Sequence, residues 1–77
     1  MKTELDVLCL RLRSLSKEME GVAHLMSLLS RDAYLSSSDT YAEFAADALA
    51  HAVELRGAAQ QTREWAEDIE DLYLKDD

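Results

Sequence analysis

Between Leu5 and Ala33 apolar residues recur at alternating spacings of three and four: Leu5, Leu8, Leu12, Leu15, Met19, Val22, Met26, Leu29 and Ala33. This is an unbroken heptad seam on one helix, and such a seam needs a second helix to bury it. The second half of the chain supplies one. Tyr41, Phe44, Ala48, His51, Leu55, Ala58, Thr62, Trp65, Ile69 and Leu72 form a seam of the same period. Beside it, alanine recurs at Ala45, Ala52, Ala59 and Ala66, and the corresponding line of the first helix holds Cys9, Ser16, Ala23 and Ser30. Small residues on both members predict helices approaching toward the short end of the usual 8–10 Å range.

Composition agrees with an all-α fold. Proline is absent and glycine occurs twice, so little interrupts helix formation, and alanine, leucine and glutamate are good helix formers. The spacing predicts helices over about 3–34 and about 41–74. Thr3 is expected to cap the first, with Glu4 and Asp6 near the positive end of its dipole. Gly21 is expected to leave the helix unbroken, with room for a kink. Leu35-Ser36-Ser37-Ser38-Asp39-Thr40 reads as the linker. Thr40 with Glu43 matches a capping box, and Ser38 and Asp39 are rival caps. So short a connection predicts an antiparallel hairpin, with residues 1–77 as one domain.

A single hairpin leaves apolar side chains over. Val7, Leu10, Leu25 and Leu28 fall outside the first seam, while Ala42, Ala46, Leu49 and Val53 make an additional stripe on the second helix. Helices apolar around much of their circumference need more than one neighbour. The expectation is a homodimer, two hairpins forming a four-helix bundle with twofold symmetry.

No residue set specifies a reaction. Glu20 and His24, like Asp47 and His51, are four apart and share a helix face, but di-metal bundles use Glu-x-x-His. His24 is expected in solvent and His51 half-buried in the seam. The lone Cys9 has no histidine near it in the hairpin and reads as a small packing residue. Phosphate loops, nucleophile elbows and zinc-ligand spacings are missing from the sequence. No catalytic residue, metal or cofactor is expected.

A net charge of −8 argues against direct binding to nucleic acid or anionic lipid. No stretch is long and apolar enough for a membrane span, and the acidic N-terminus does not read as a signal peptide. With one cysteine, a reducing, cytoplasmic setting is expected. The charge is concentrated late in the chain, at Glu64, Glu67, Asp68, Glu70, Asp71, Asp76 and Asp77, and antiparallel pairing brings Glu4 and Asp6 to the same end. Acids at a helix C-terminus oppose the dipole. Such a costly placement marks this end as a candidate surface for a basic protein, offset in part by Arg11, Arg13 and Arg63. The other candidate surface is an apolar groove or oligomer face containing Val7, Leu10, Leu25, Leu28, Leu49 and Val53. The expected function is a non-catalytic protein-interaction module: a small acidic regulator, adaptor or chaperone-like protein. The alternative is an acidic nucleic-acid mimic of phage or mobile-element origin that inhibits a nucleic-acid-binding enzyme.

Overall fold

Two long helices lie antiparallel along a rod of 60 × 14 × 14 Å in the computed structural model, which describes residues 1–36 and 39–75. Helix α1 spans Lys2–Tyr34 and helix α2 spans Asp39–Ile69, followed by a π-helical turn over Glu70–Leu74. The all-helical hairpin expected from the heptads is present. Helix α1 runs through Gly21 without interruption. At its C-terminus the helix is closed by the Leu35 N–H donating to the Arg31 carbonyl and the Ser36 N–H donating to the Ala33 carbonyl, each at 3.1 Å.

The helix starts differ from expectation. Helix α1 begins one residue early, with Met1 rather than Thr3 in the capping position and no side-chain cap. Helix α2 begins at Asp39, so Thr40 lies inside the first turn instead of flanking it. There Asp39 places its acid at the favourable end of the dipole. The rival cap Ser38 lies outside the described residues, as do Ser37, Asp76 and Asp77.

The small residues, and not the leucine seams, form the centre of the helix contact. Ala23, Ala52, Ala59 and Ala66 are fully buried, and Cys9, Ser16, Ser30 and Ala45 nearly so. Three cross-helix contacts fix a single register. The Ser16 hydroxyl donates to the Ala59 carbonyl oxygen at 2.7 Å, and the Ser30 hydroxyl donates to that of Ala45 at 2.6 Å. The Cys9 thiol points at the Ala66 carbonyl oxygen at 3.7 Å. In the same register Ala23 faces Ala52. A side chain as short as serine reaches the opposing backbone only when the two helices lie close, and that closeness excludes large side chains from the line between them.

The expectation that the leucine seam lies buried at the centre is therefore corrected. Leu5, Leu12, Met19, Met26 and Leu55 are half-buried along one side of the contact line. Leu8, Leu15, Val22 and Leu29 stand further out, with between 37% and 48% of their surface exposed. His51 shares this outer position on α2 and is exposed, not half-buried as expected.

The serine contacts make a prediction that controls for helix propensity. Ser14 is exposed and Ser16 is buried on the same helix. Alanine at either site gains the same intrinsic preference, but only Ser16→Ala loses a cross-helix hydrogen bond. Urea unfolding should place Ser16→Ala below Ser14→Ala by about 0.5–1.5 kcal/mol. Equal stabilities would mean that the Ser16 hydroxyl contributes nothing to the pairing.

Candidate interaction surfaces

The two long sides of the rod differ in chemistry, and the difference follows from helical spacing. Both helices use the same heptad phase, and an antiparallel pair brings equal phases to the same side. One side carries the ladder Arg13–Glu70, Glu20–Arg63 and Ser27–Arg56. Arg13 donates to one Glu70 carboxylate oxygen through Nε at 2.8 Å and Nη2 at 2.5 Å, which holds its guanidinium more firmly protonated than usual. Arg63 donates to Glu20, and Arg56 donates to the Ser27 hydroxyl at 2.8 Å. Lys17 and Arg31 occupy the adjoining line of α1. Toward the chain ends this side is polar and its charges are matched; toward the connection it turns apolar at Tyr34, Ala42, Ala46 and Leu49.

The opposite side is the exposed half of the leucine seams. Leu8, Leu15, Val22 and Leu29 of α1 face Tyr41, Phe44, Trp65 and Leu72 along α2, and all eight are exposed. Phe44 and Trp65 are 47% and 54% exposed, large fractions for such apolar side chains. Two shallow depressions lie along it. The first, about 320 Å³, is lined by Leu29, Asp32, Ala33, Ser36, Tyr41 and Phe44. The second, about 290 Å³, is lined by Met26, His51, Glu54, Leu55 and Ala58. An apolar surface running the length of a rod is the kind of patch that marks an interaction site. Spacing alone does not reveal it, because large apolar residues at heptad positions read as a buried seam. The lines of small residues, legible in the same spacing, take the centre and displace that seam to one side.

The expected acidic end is assembled at one end of the rod but is not one patch. Residues 64–71 pass round about two turns, so their side chains point in several directions. Glu70 is held by Arg13 in the polar ladder, and Asp71 pairs with Lys75 at 3.2 Å. Glu64 accepts from the Gln60 side chain at 3.0 Å. Asp68 falls on the same line as Asp47 and Glu54, beside the apolar side, and Glu67 is exposed. Asp6 lines a cleft of about 430 Å³ with Cys9, Leu10, Arg13, Glu70 and Lys75. Glu4 is held below the usual carboxylate range by the N-terminal ammonium at 2.9 Å and by its own backbone. Of the three arginines expected to offset this end, Arg13 does so, while Arg63 pairs with Glu20 further along.

The expected apolar groove residues are spread over different surfaces. Val7 and Leu10 line one depression with Leu15 and Glu18 on α1. Leu49 lines another between the helices with Ser27, Tyr34, Ala42 and Ala46. Leu25 and Val53 are exposed, and Leu28 is half-buried on the outer side of α1.

Burial pushes the Cys9 thiol above its ordinary pKa, and the Glu70 carboxylate adds to the shift while Arg13 opposes it. A thiol so placed is a poor nucleophile near neutral pH. His24 is exposed, and His51 lies 3.8 Å from Glu54 rather than against Asp47. Among the described residues no three His, Cys, Asp or Glu side chains gather as metal ligands do, and no helix is long and apolar enough to cross a membrane. Compared with known protein families, with characterised proteins and with solved structures, the chain matches none.

Proposed function

We propose that this protein is a non-catalytic interaction module whose working surface is the apolar side of the hairpin, covered in use by helices of another polypeptide. The observation that carries the reading is the exposure of Leu8, Leu15, Val22, Leu29, Phe44 and Trp65 along one side of a rod whose other side carries the ion pairs Arg13–Glu70 and Glu20–Arg63. Burying such side chains contributes roughly 1.5–3 kcal/mol each when complete, so a partner covering several of them gains substantial affinity. A second copy covering the same side would give a twofold four-helix bundle, joined through the heptad seams and not through the residues outside them on which the expectation of a homodimer rests. A basic protein gripping the acidic end is a separate mode, and the pairing of Glu70 and Asp71 within the chain leaves less free charge there for it.

The test is capture of bound polypeptide, other copies of the chain included, by the tagged wild-type chain, by Leu15→Asp on the apolar side and by Ala50→Asp on the exposed outer side of α2. Circular dichroism verifies that each variant stays helical. Leu15→Asp loses apolar contact and places an unpaired charge in the interface, so binding should fall by about thirtyfold or more. Ala50→Asp should bind as wild type does. Equal capture by all three chains would remove the apolar side as the working surface.

A further inference from the structure

The apolar side is bordered by two lines of residues, one on the outer edge of each helix, and their charge is one-sided. On α1 the edge reads Glu4, Arg11, Glu18, Leu25 and Asp32, every seventh residue. On α2 it reads Asp47, Glu54, Gln61 and Asp68. Asp32 and Glu54 line the two apolar depressions themselves, and Glu18 lies beside Leu15. Within the helices Arg11 is the one base in these two lines; Lys75, the next position on the α2 line, lies past the last turn and pairs with Asp71. The bases Arg13, Lys17, Arg31, Arg56 and Arg63 are gathered on the opposite side, several of them already engaged with the chain's own acceptors. Six of the sixteen acids, offset by one base, thus border the apolar strip.

We infer that the occupant of this strip is an amphipathic helix of a different polypeptide, with an apolar stripe flanked on both sides by lysine or arginine. This rests on the reading of the chain as an interaction module. Flanking bases meet the acidic edges while the stripe covers Leu15, Val22, Phe44 and Trp65, so one ligand satisfies both features of the surface. A second copy satisfies only one of them. Face-to-face pairing of two copies lays Glu4, Glu18 and Asp32 of one chain, and Asp47, Glu54 and Asp68, along edges of the same sign, and like charges across an interface oppose association. The rod is 60 Å long, enough to hold a helix of about 28 residues, which spans about 42 Å at 1.5 Å per residue.

Trp65 is the only tryptophan and stands on the strip, so its emission reports coverage directly. The probes are synthetic helices of about 28 residues, free of Trp and Tyr. Three share one Leu/Ala stripe and carry Lys/Arg, Gln or Glu at the flanking positions; a fourth keeps the Lys/Arg flanks but has Ser and Gln in place of the stripe. The basic-flanked helix should shift Trp65 emission to the blue and bind about tenfold or more tighter than the Gln-flanked one, with the Glu-flanked helix weakest. The advantage should shrink as salt rises. A Glu18→Lys/Asp32→Lys/Glu54→Lys variant, whose edges carry nearly balanced charge, should lose the preference for the basic-flanked helix.

Equal binding by all three striped helices overturns the charge selection but leaves the interaction reading in place. So does a dimer in light scattering that Leu15→Asp dissociates while no helix binds, because the occupant is then a second copy. Equally tight binding of the stripeless helix without a Trp65 shift overturns the inference in favour of electrostatic decoy action. Absence of binding by every helix, together with capture that Leu15→Asp leaves unchanged, overturns both readings.

Discussion

Ala59→Leu should destabilise the hairpin by about 2–4 kcal/mol, the largest effect expected from a single substitution in the chain. Two terms add. Ala59 is fully buried on the line of closest approach, where extra methylenes force side chains off their rotamers and push the backbones apart, costing about 1–3 kcal/mol. The same separation pulls the Ala59 carbonyl away from the Ser16 hydroxyl, losing a further 0.5–1.5 kcal/mol or so. A chain of this length has only about 4–12 kcal/mol of stability in total. Ala50→Leu, on the exposed side of the same helix, should stay within about 0.5 kcal/mol of wild type. Chemical unfolding of the three proteins decides the matter; matched midpoints for Ala59→Leu and Ala50→Leu would mean that the contact line has been placed on the wrong residues.

The second large effect is a gain. Gly21→Ala and Gly57→Ala together should raise stability by about 2 kcal/mol, and the melting temperature by roughly 8–16 °C for a domain this small. Both glycines lie inside long helices at exposed positions, neither has a positive φ, and a Cβ at either site meets nothing within 4 Å. Nothing in the folded hairpin uses the missing side chain, so alanine only removes freedom from the unfolded chain. Thermal melts by circular dichroism measure the effect. A melting temperature unchanged in the double variant would require a function for these glycines outside the isolated hairpin.

Much of this architecture is legible in the residues. Helix number, antiparallel order and the matched lines of small residues all follow from a period of seven and a short serine-rich connection. What spacing does not state is which line sits at the centre. Heptads of Leu5, Leu8 and Leu12 look like a buried seam because large apolar residues usually are one. Here Cys9, Ser16 and Ser30 carry too little hydrophobic signal to compete on paper, yet they decide the packing because they alone let the backbones close. The helix starts are less legible. Thr3 and Thr40 are good capping residues, yet the helices begin before them, at Lys2 and Asp39. The π-helical turn over Glu70–Leu74, closed by the Lys75 N–H donating to the Glu70 carbonyl at 2.8 Å, has no local sequence signature. The acidic end looked like one cluster because seven acids are close in sequence, whereas a helix distributes close neighbours around its axis.

The ladder of ion pairs has a consequence for uniqueness rather than for stability. A repeat of seven on both helices creates a hazard: sliding one helix by a heptad again puts small residues opposite small ones along most of the line, for about one turn of rewinding near the connection. Exposed pairs such as Arg13–Glu70 and Glu20–Arg63 contribute little to the native state, about 0–1 kcal/mol each. In the slipped alignments they turn against the chain. A slide in one direction sets Arg13 opposite Arg63, and a slide in the other sets Glu20 opposite Glu70. Each wrong alignment brings in a repulsion that the native one lacks, so surface charges that barely hold the rod together still favour the native register over its neighbours.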